Sequence, residues 1–178
     1  MSPEPLPTSL DVRKAAARGS VVSGAVELAK LPRLLDVLAS GEGEIEAECS
    51  FSRDEESRSL VTVKVSAKLV ITCQRCLEPM PLAIASENTL AIVGSDETAS
   101  QLPAALDPWI VEEEQGALWG LVEDELILEI PVVAYHDTDD CKKLLDAYRQ
   151  PPETPESDGD NPFKVLEQLK SGTQQQEN

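Results

Sequence analysis

"EIEAECSFSRDEESRSLVTVKVSAKLVITC", residues 44–73, switches chemistry at almost every step. Ile45, Ala47, Cys49 and Phe51 alternate with Glu44, Glu46, Glu48 and Ser50. A period of two places the apolar side chains on one face of a half-buried strand and gives it an acidic outer face. Cys49 falls on the apolar face and reads as a core residue. After the polar "RDEESRS" at 53–59, Val61, Val63, Val65, Ala67, Leu69, Ile71 and Cys73 share one face, and Thr62, Lys64, Ser66, Lys68 and Thr72 the other. Two alternating runs joined by a short polar loop predict an antiparallel hairpin. Lys64 and Lys68 then face Glu44, Glu46 or Glu48 across the ladder.

Working outward, "PLAIASENTLAIV", residues 81–93, predicts a third strand whose weaker alternation suggests a bulge or twist. Residues 94–108 read as a loop, and "WIVEEE", 109–114, as a short edge strand. "GALWGLVEDELILEIP", 116–131, is helical: Leu118, Leu121, Val122, Leu126 and Ile130 follow three-to-four spacing, and Pro131 ends the run. Towards the N-terminus, Thr8 or Ser9 caps a helix through "LDVRKAAARG" that stops at Gly19. "LPRLLDVLASG" gives a second helix with Pro32 in its first turn and Gly41 at its end. The fold class expected is α+β, with an antiparallel sheet of about four strands packed with the N-terminal helices and the acidic helix.

Residues 1–148 are expected to form this single domain. "RQPPETPESDGD", 149–160, reads as an extended proline-rich acidic linker. Residues 161–171 hold a C-terminal helix motif, with Asn161 as cap, Pro162 at the first helical position and Phe163, Leu166 and Leu169 as its stripe. A helix that short is marginal alone in water, so it should dock on the body or on a partner. Residues 172–178 are expected to be disordered.

The formal net charge of −18 is unevenly spread. Residues 107–160 hold three basic and sixteen acidic residues, a net of −13, whereas residues 1–40 hold five and four. Nucleic-acid affinity comes largely from cations that displace counterions from phosphates, so the acidic segment opposes extensive RNA or DNA binding. It suits a basic protein partner. Aromatic residues make up 3%, which leaves little for a site built on stacked rings. No apolar run is long enough for a membrane span, and the N-terminus lacks the apolar centre of a secretory signal. The expected location is the cytoplasm, where thiols stay reduced and four cysteines are not a disulfide framework.

Cys73 and Cys76 form a C-x-x-C at a strand-to-strand turn, a geometry that supplies two of four tetrahedral zinc positions. His136 and Cys141 are the natural candidates for the other two. Two further readings stay open: a redox pair, which would normally open a helix, and a turn that merely contains two thiols. Support for catalysis is thin. There is no glycine-rich phosphate loop and no dinucleotide fingerprint. Glu123, Asp124 and Glu125 are adjacent on a helix and point in different directions. His136 has no nearby serine to activate, which leaves a Cys–His dyad as the one nucleophilic arrangement. No small-molecule substrate is suggested.

Three motifs in order carry a resemblance: "CQRCLEPM" at 73–80, "LVEDELILEIPVVAYHDTDDC" at 121–141 and "NPFKVLEQLK" at 161–170. Together they resemble the YceD family, the large ribosomal RNA subunit accumulation proteins of bacteria and plastids. The resemblance implies a non-enzymatic role in the synthesis, processing or stability of 23S ribosomal RNA. Cys73, Arg75 and Cys76 match the family's cysteine turn. Glu123, Glu125, Pro131, His136 and Cys141 match its acidic helix and following segment, and Asn161, Pro162 and Phe163 its terminal motif. Some relatives carry a richer cysteine cluster where this chain has Cys141 alone. Combined with the charge, the expectation is indirect action on RNA: Glu112, Glu113, Glu114, Glu123, Asp124 and Glu125, with Asn161, Pro162 and Phe163, hold a basic ribosomal protein or an assembly factor. The competing reading is direct ribosomal RNA contact through Lys64, Lys68 and Arg75; a zinc-binding RNA-processing enzyme ranks last.

Overall fold

The computed structural model describes residues 4–138 together with Cys141 and Lys143. The elements run β1 (Ser9–Asp11), α1 (Val12–Arg18), β2 (Val21–Ala25), a short 3₁₀ turn (Leu28–Lys30), α2 (Pro32–Leu35), β3 (Glu44–Arg53), β4 (Ser59–Thr72), β5 (Pro79–Val93), α3 (Asp96–Ala99), β6 (Asp107–Ile110), β7 (Gln115–Ala117) and α4 (Leu118–Glu129). Among the described residues no helix is long and apolar enough to cross a membrane. The expected linker at 149–160, helix motif at 161–171 and tail at 172–178 lie outside the described residues.

The alternating runs form the hairpin that their period demands. β3 and β4 pair antiparallel, with Cys49 opposite Val63 and Glu44 opposite Lys68. Ile45, Ala47, Cys49 and Phe51 are buried with Val61, Val63, Val65, Ala67, Leu69 and Ile71. Burial of the Val, Leu, Ile and Phe side chains among them contributes about 1.5–3 kcal/mol each, so this face anchors the domain. β5 pairs with β4 from Leu60–Ala91 to Thr72–Pro79 in one unbroken register. The weak alternation of β5 therefore has another cause than a bulge. Ser86 and Asn88 stand opposite the inward-facing Val65 and Val63, and Asn88 meets the side chain of Glu125 on α4.

The sheet is larger than the four strands expected. Among the described residues it has five, in the order β2-β3-β4-β5-β6, and β1 and β7 form a second, two-stranded sheet. β6 is an edge strand and runs parallel to β5. The N-terminal helices are shorter than the sequence suggested. Ser9 and Leu10 pair with β7, so α1 starts later, capped by Asp11, whose carboxylate accepts from the Lys14 N–H. Gly19 ends it in the left-handed conformation, as expected. α2 stops at Leu35 because the chain turns to the sheet, where the Ala39 N–H donates to the Val70 carbonyl. Gly116 and Ala117 belong to β7, not to the helix. α4 buries Leu118, Leu121, Val122 and Leu126, and also Glu123 and Glu125.

Candidate metal centre

β4 delivers Cys73 to the end of its buried face, and the chain reverses between it and β5. The Cys73 N–H donates to the Glu78 carbonyl, and the Leu77 N–H donates back to the Cys73 carbonyl. Leu77 sits in the left-handed region at φ 62°, a conformation that disfavours a side chain, so those two bonds hold the turn against local strain. The segment after α4 is tied to the same turn. The Gln74 N–H donates to the Ala134 carbonyl, and the Gln74 side-chain amide to that of Val132. These bonds bring His136 and Cys141 to the cysteines across 60 and 68 residues of chain.

The ligand atoms of Cys73, Cys76, His136 and Cys141 all lie within 4.8 Å of one another. Cys73 Sγ is 3.6 Å from Cys141 Sγ, and Cys76 Sγ is 3.3 Å from His136 Nδ1. Zn–S bonds of about 2.3 Å require tetrahedral S···S edges of about 3.8 Å, so the set is already near the size of a zinc shell. Three sulfurs and an imidazole suit a borderline-soft dication. His136 Nε2 is 3.2 Å from the Pro79 carbonyl oxygen. A carbonyl only accepts, so the proton belongs on Nε2 and the Nδ1 lone pair faces the sulfurs, the usual support for a metal-bound histidine. The four thiols are free, and the sulfur separation is far beyond a disulfide bond.

The thiols crowd one another. Burial opposes ionisation of Cys73, but the backbone N–H groups of Cys76, Arg75 and His136 favour its anion and hold it below the ordinary thiol value. At Cys76 a backbone bond from Glu78 favours the anion, yet burial and the neighbouring Cys73 and Cys141 outweigh it and push the thiol up. One thiolate is thus easy and the next is resisted, and a bound dication would lift that resistance. Arg75 contributes little countercharge: Nη1 is 4.0 Å from Cys141 Sγ, and its guanidinium lies 4.5 Å over the Tyr135 ring. Cys49 is separate. It is buried in the core, and that burial pushes its thiol up to about 11.

Among the described residues, the other predicted site residues do not gather into one surface. Glu112, Glu113 and Glu114 are exposed in the loop before β7. Glu123 and Glu125 point inward. Glu123 Oε1 accepts the backbone N–H of Arg33 and of Leu34, and Oε2 accepts the Arg33 side chain at 2.8–2.9 Å. α2 has no side-chain cap of its own, so α4 caps it. Asp124 is half-exposed and also bonded to Arg33. Burial of Glu125 had a signal in the sequence: it stands three residues after Val122 and four after Leu121, on the apolar stripe. The role of Glu123 had none. Lys64 and Lys68 project from the outer sheet face beside Glu87 and Glu44, at 3.4 and 3.2 Å. Arg75 lies beyond the end of β4, and Asn161, Pro162 and Phe163 lie outside the described residues.

The family described as "Large ribosomal RNA subunit accumulation protein YceD" matches residues 61–170. That span contains the cysteine turn, α4 and the segment bearing His136 and Cys141. A Haemophilus influenzae protein of the same name is 32% identical over 172 residues, covering 93% of this chain and 96% of the relative. No solved structure matches the chain. The matched family span and the near full-length relative agree with the three-motif reading: this chain belongs to the YceD family, the large ribosomal RNA subunit accumulation proteins.

Proposed function

We propose that this chain is a non-enzymatic ribosome-biogenesis factor that supports accumulation of 23S ribosomal RNA in the cytoplasm by holding a basic protein of the large subunit or its assembly machinery. The observation that carries this reading is the near full-length likeness to a protein named for that accumulation. Cys73, Cys76, His136 and Cys141 would hold a zinc ion that fixes the segment after α4 to the β4–β5 turn. Four protein donors fill a tetrahedral shell and leave no position for an activated water, which supports a structural ion over a catalytic one.

The charge geometry favours a protein partner over direct RNA contact. Glu44, Glu46 and Glu48 alternate outward on β3, and Glu87 stands beside Lys64, so the two lysines sit among carboxylates. A phosphate backbone approaching them meets net negative charge. Glu112, Glu113 and Glu114 remain the exposed run, and Asn161, Pro162 and Phe163 extend the partner surface in this proposal. The test is a crosslinked pull-down from growing cells, before and after nuclease, with the wild-type chain and with Glu112, Glu113 and Glu114 reversed to lysine. A basic ribosomal protein that survives nuclease and is lost with the reversed chain is the expected result. Equal capture by both chains, or RNA recovered with no such protein, overturns the proposal.

A further inference from the structure

Between α4 and the edge formed by β5 and β6 lies a cleft of about 410 Å³. Asp107, Asp124 and Glu125 lie in its wall with Asn88, Trp109 and Arg33; Leu90, Leu121, Ile127 and Leu128 add apolar surface. The indole is pinned from behind. A Cβ at Gly116 would stand 2.6 Å from Trp109 Cη2, so only glycine lets the ring lie there. Arg33 is the cleft's one cation among these residues, and it is already bonded to Asp124 and to Glu123. The cleft therefore keeps an excess of negative charge.

Glu125 is the deepest of these groups, with 3% of its surface exposed. Asn88 donates to Oε2 at 2.6 Å, and no other donor to its carboxylate stands among the described residues. Ser86 Oγ is the one fully enclosed side-chain oxygen or nitrogen without a partner among them, so Glu125 Oε1, which the chain leaves unpaired, is not sealed off, and Glu125 lines the cleft. A buried carboxylate with an oxygen free calls for a cation. A metal ion does not suit: among the described residues, Cys73, Cys76, His136 and Cys141 are the one set close enough to share an ion. Separated carboxylates, an apolar wall and a fixed indole suit a long cation whose methylene stem lies on apolar surface and whose head meets the ring and the acids.

We propose that this cleft receives a lysine or arginine side chain of the protein partner. The nature of that partner rests on the function proposed above; the cleft is tested separately. Zinc-loaded, ¹⁵N-labelled full chain is titrated at low and high salt with the peptide acetyl-Gly-Lys-Gly-amide, and with the same peptide carrying norleucine. The lysine peptide should shift the Trp109 indole N–H and the Asn88 side-chain amide with a Kd on the order of millimolar. Glu125→Gln should weaken binding about tenfold, and so should Asp107→Asn on the exposed edge, which keeps the test sound if the buried variant misfolds. Equal shifts with norleucine, no shift with lysine, or unchanged affinity in Asp107→Asn overturns the cleft. Peptide binding with no basic protein captured from cells overturns the function reading alone. A captured basic protein with no peptide binding overturns the cleft alone.

Discussion

Glu123 and the cysteine cluster are both buried sources of negative charge, and they are balanced from opposite directions. Glu123 finds everything it needs within the chain: two backbone N–H groups at the start of α2 and the Arg33 guanidinium. The thiols of Cys73, Cys76 and Cys141 crowd together; backbone N–H groups favour the Cys73 anion, and the Arg75 guanidinium lies 4.0 Å from the Cys141 sulfur and is stacked on Tyr135. Burying charge without a partner is strongly unfavourable, so the first region is complete as folded, whereas in the function proposed above a bound dication would complete the second.

The largest effect should come from breaking that second balance. Protein purified without chelator should carry zinc near one ion per chain, measured by elemental analysis. If free zinc exceeds its Kd a thousandfold, chelation removes about 4 kcal/mol of stability, or roughly 10 °C in Tm. Cys73→Ser should reproduce that loss with no chelator present. An unchanged melting curve in both experiments leaves the turn as two thiols without a metal.

Breaking the first balance should have a smaller effect, with an internal order. Glu123→Ala strips the cap from α2 and should cost about 2–4 kcal/mol in urea denaturation. Arg33→Ala leaves the two backbone bonds in place and removes only a half-exposed guanidinium, so it should cost about 1 kcal/mol. Equal losses in the two variants would mean that the ion pair, rather than the cap, holds α2 to α4.

The same contrast explains what could be read in advance. The β3–β4 hairpin was legible because a period of two over ten and fourteen residues has one physical solution. β2 was not, because "VVSGA" is short and carries no clean alternation. The second helix was overestimated because its sequence fits a longer one, and only the tertiary bond from Ala39 to Val70 ends it. At the candidate site, Cys73 and Cys76 announced themselves through spacing, and the suggestion of His136 and Cys141 came from their place after the helix. The cap that Glu123 places on α2 joins residues about 90 positions apart, and neither propensity nor periodicity reports such a partner. Asn88 misled for a related reason: it weakens the alternation of β5 because its partner, Glu125, is itself a polar residue on an apolar face.

The outer face of the sheet supplies the smallest expected effect and bounds the comparison. Lys64 and Lys68 meet Glu87 and Glu44 in water, with half or more of every side chain exposed. Nothing there is desolvated, so each pair contributes less than about 1 kcal/mol and weakens further with salt. Lys64→Ala/Lys68→Ala should therefore melt within a few degrees of the wild type, measured by circular dichroism. The same variant should recover as much crosslinked 23S RNA as the wild type, because the proposed route to RNA runs through a protein held elsewhere. A clear drop in RNA with capture of the basic protein intact would return direct RNA contact to this face. The lysines would then matter through what they meet outside the chain, as is proposed for the cysteines, rather than through the glutamates beside them.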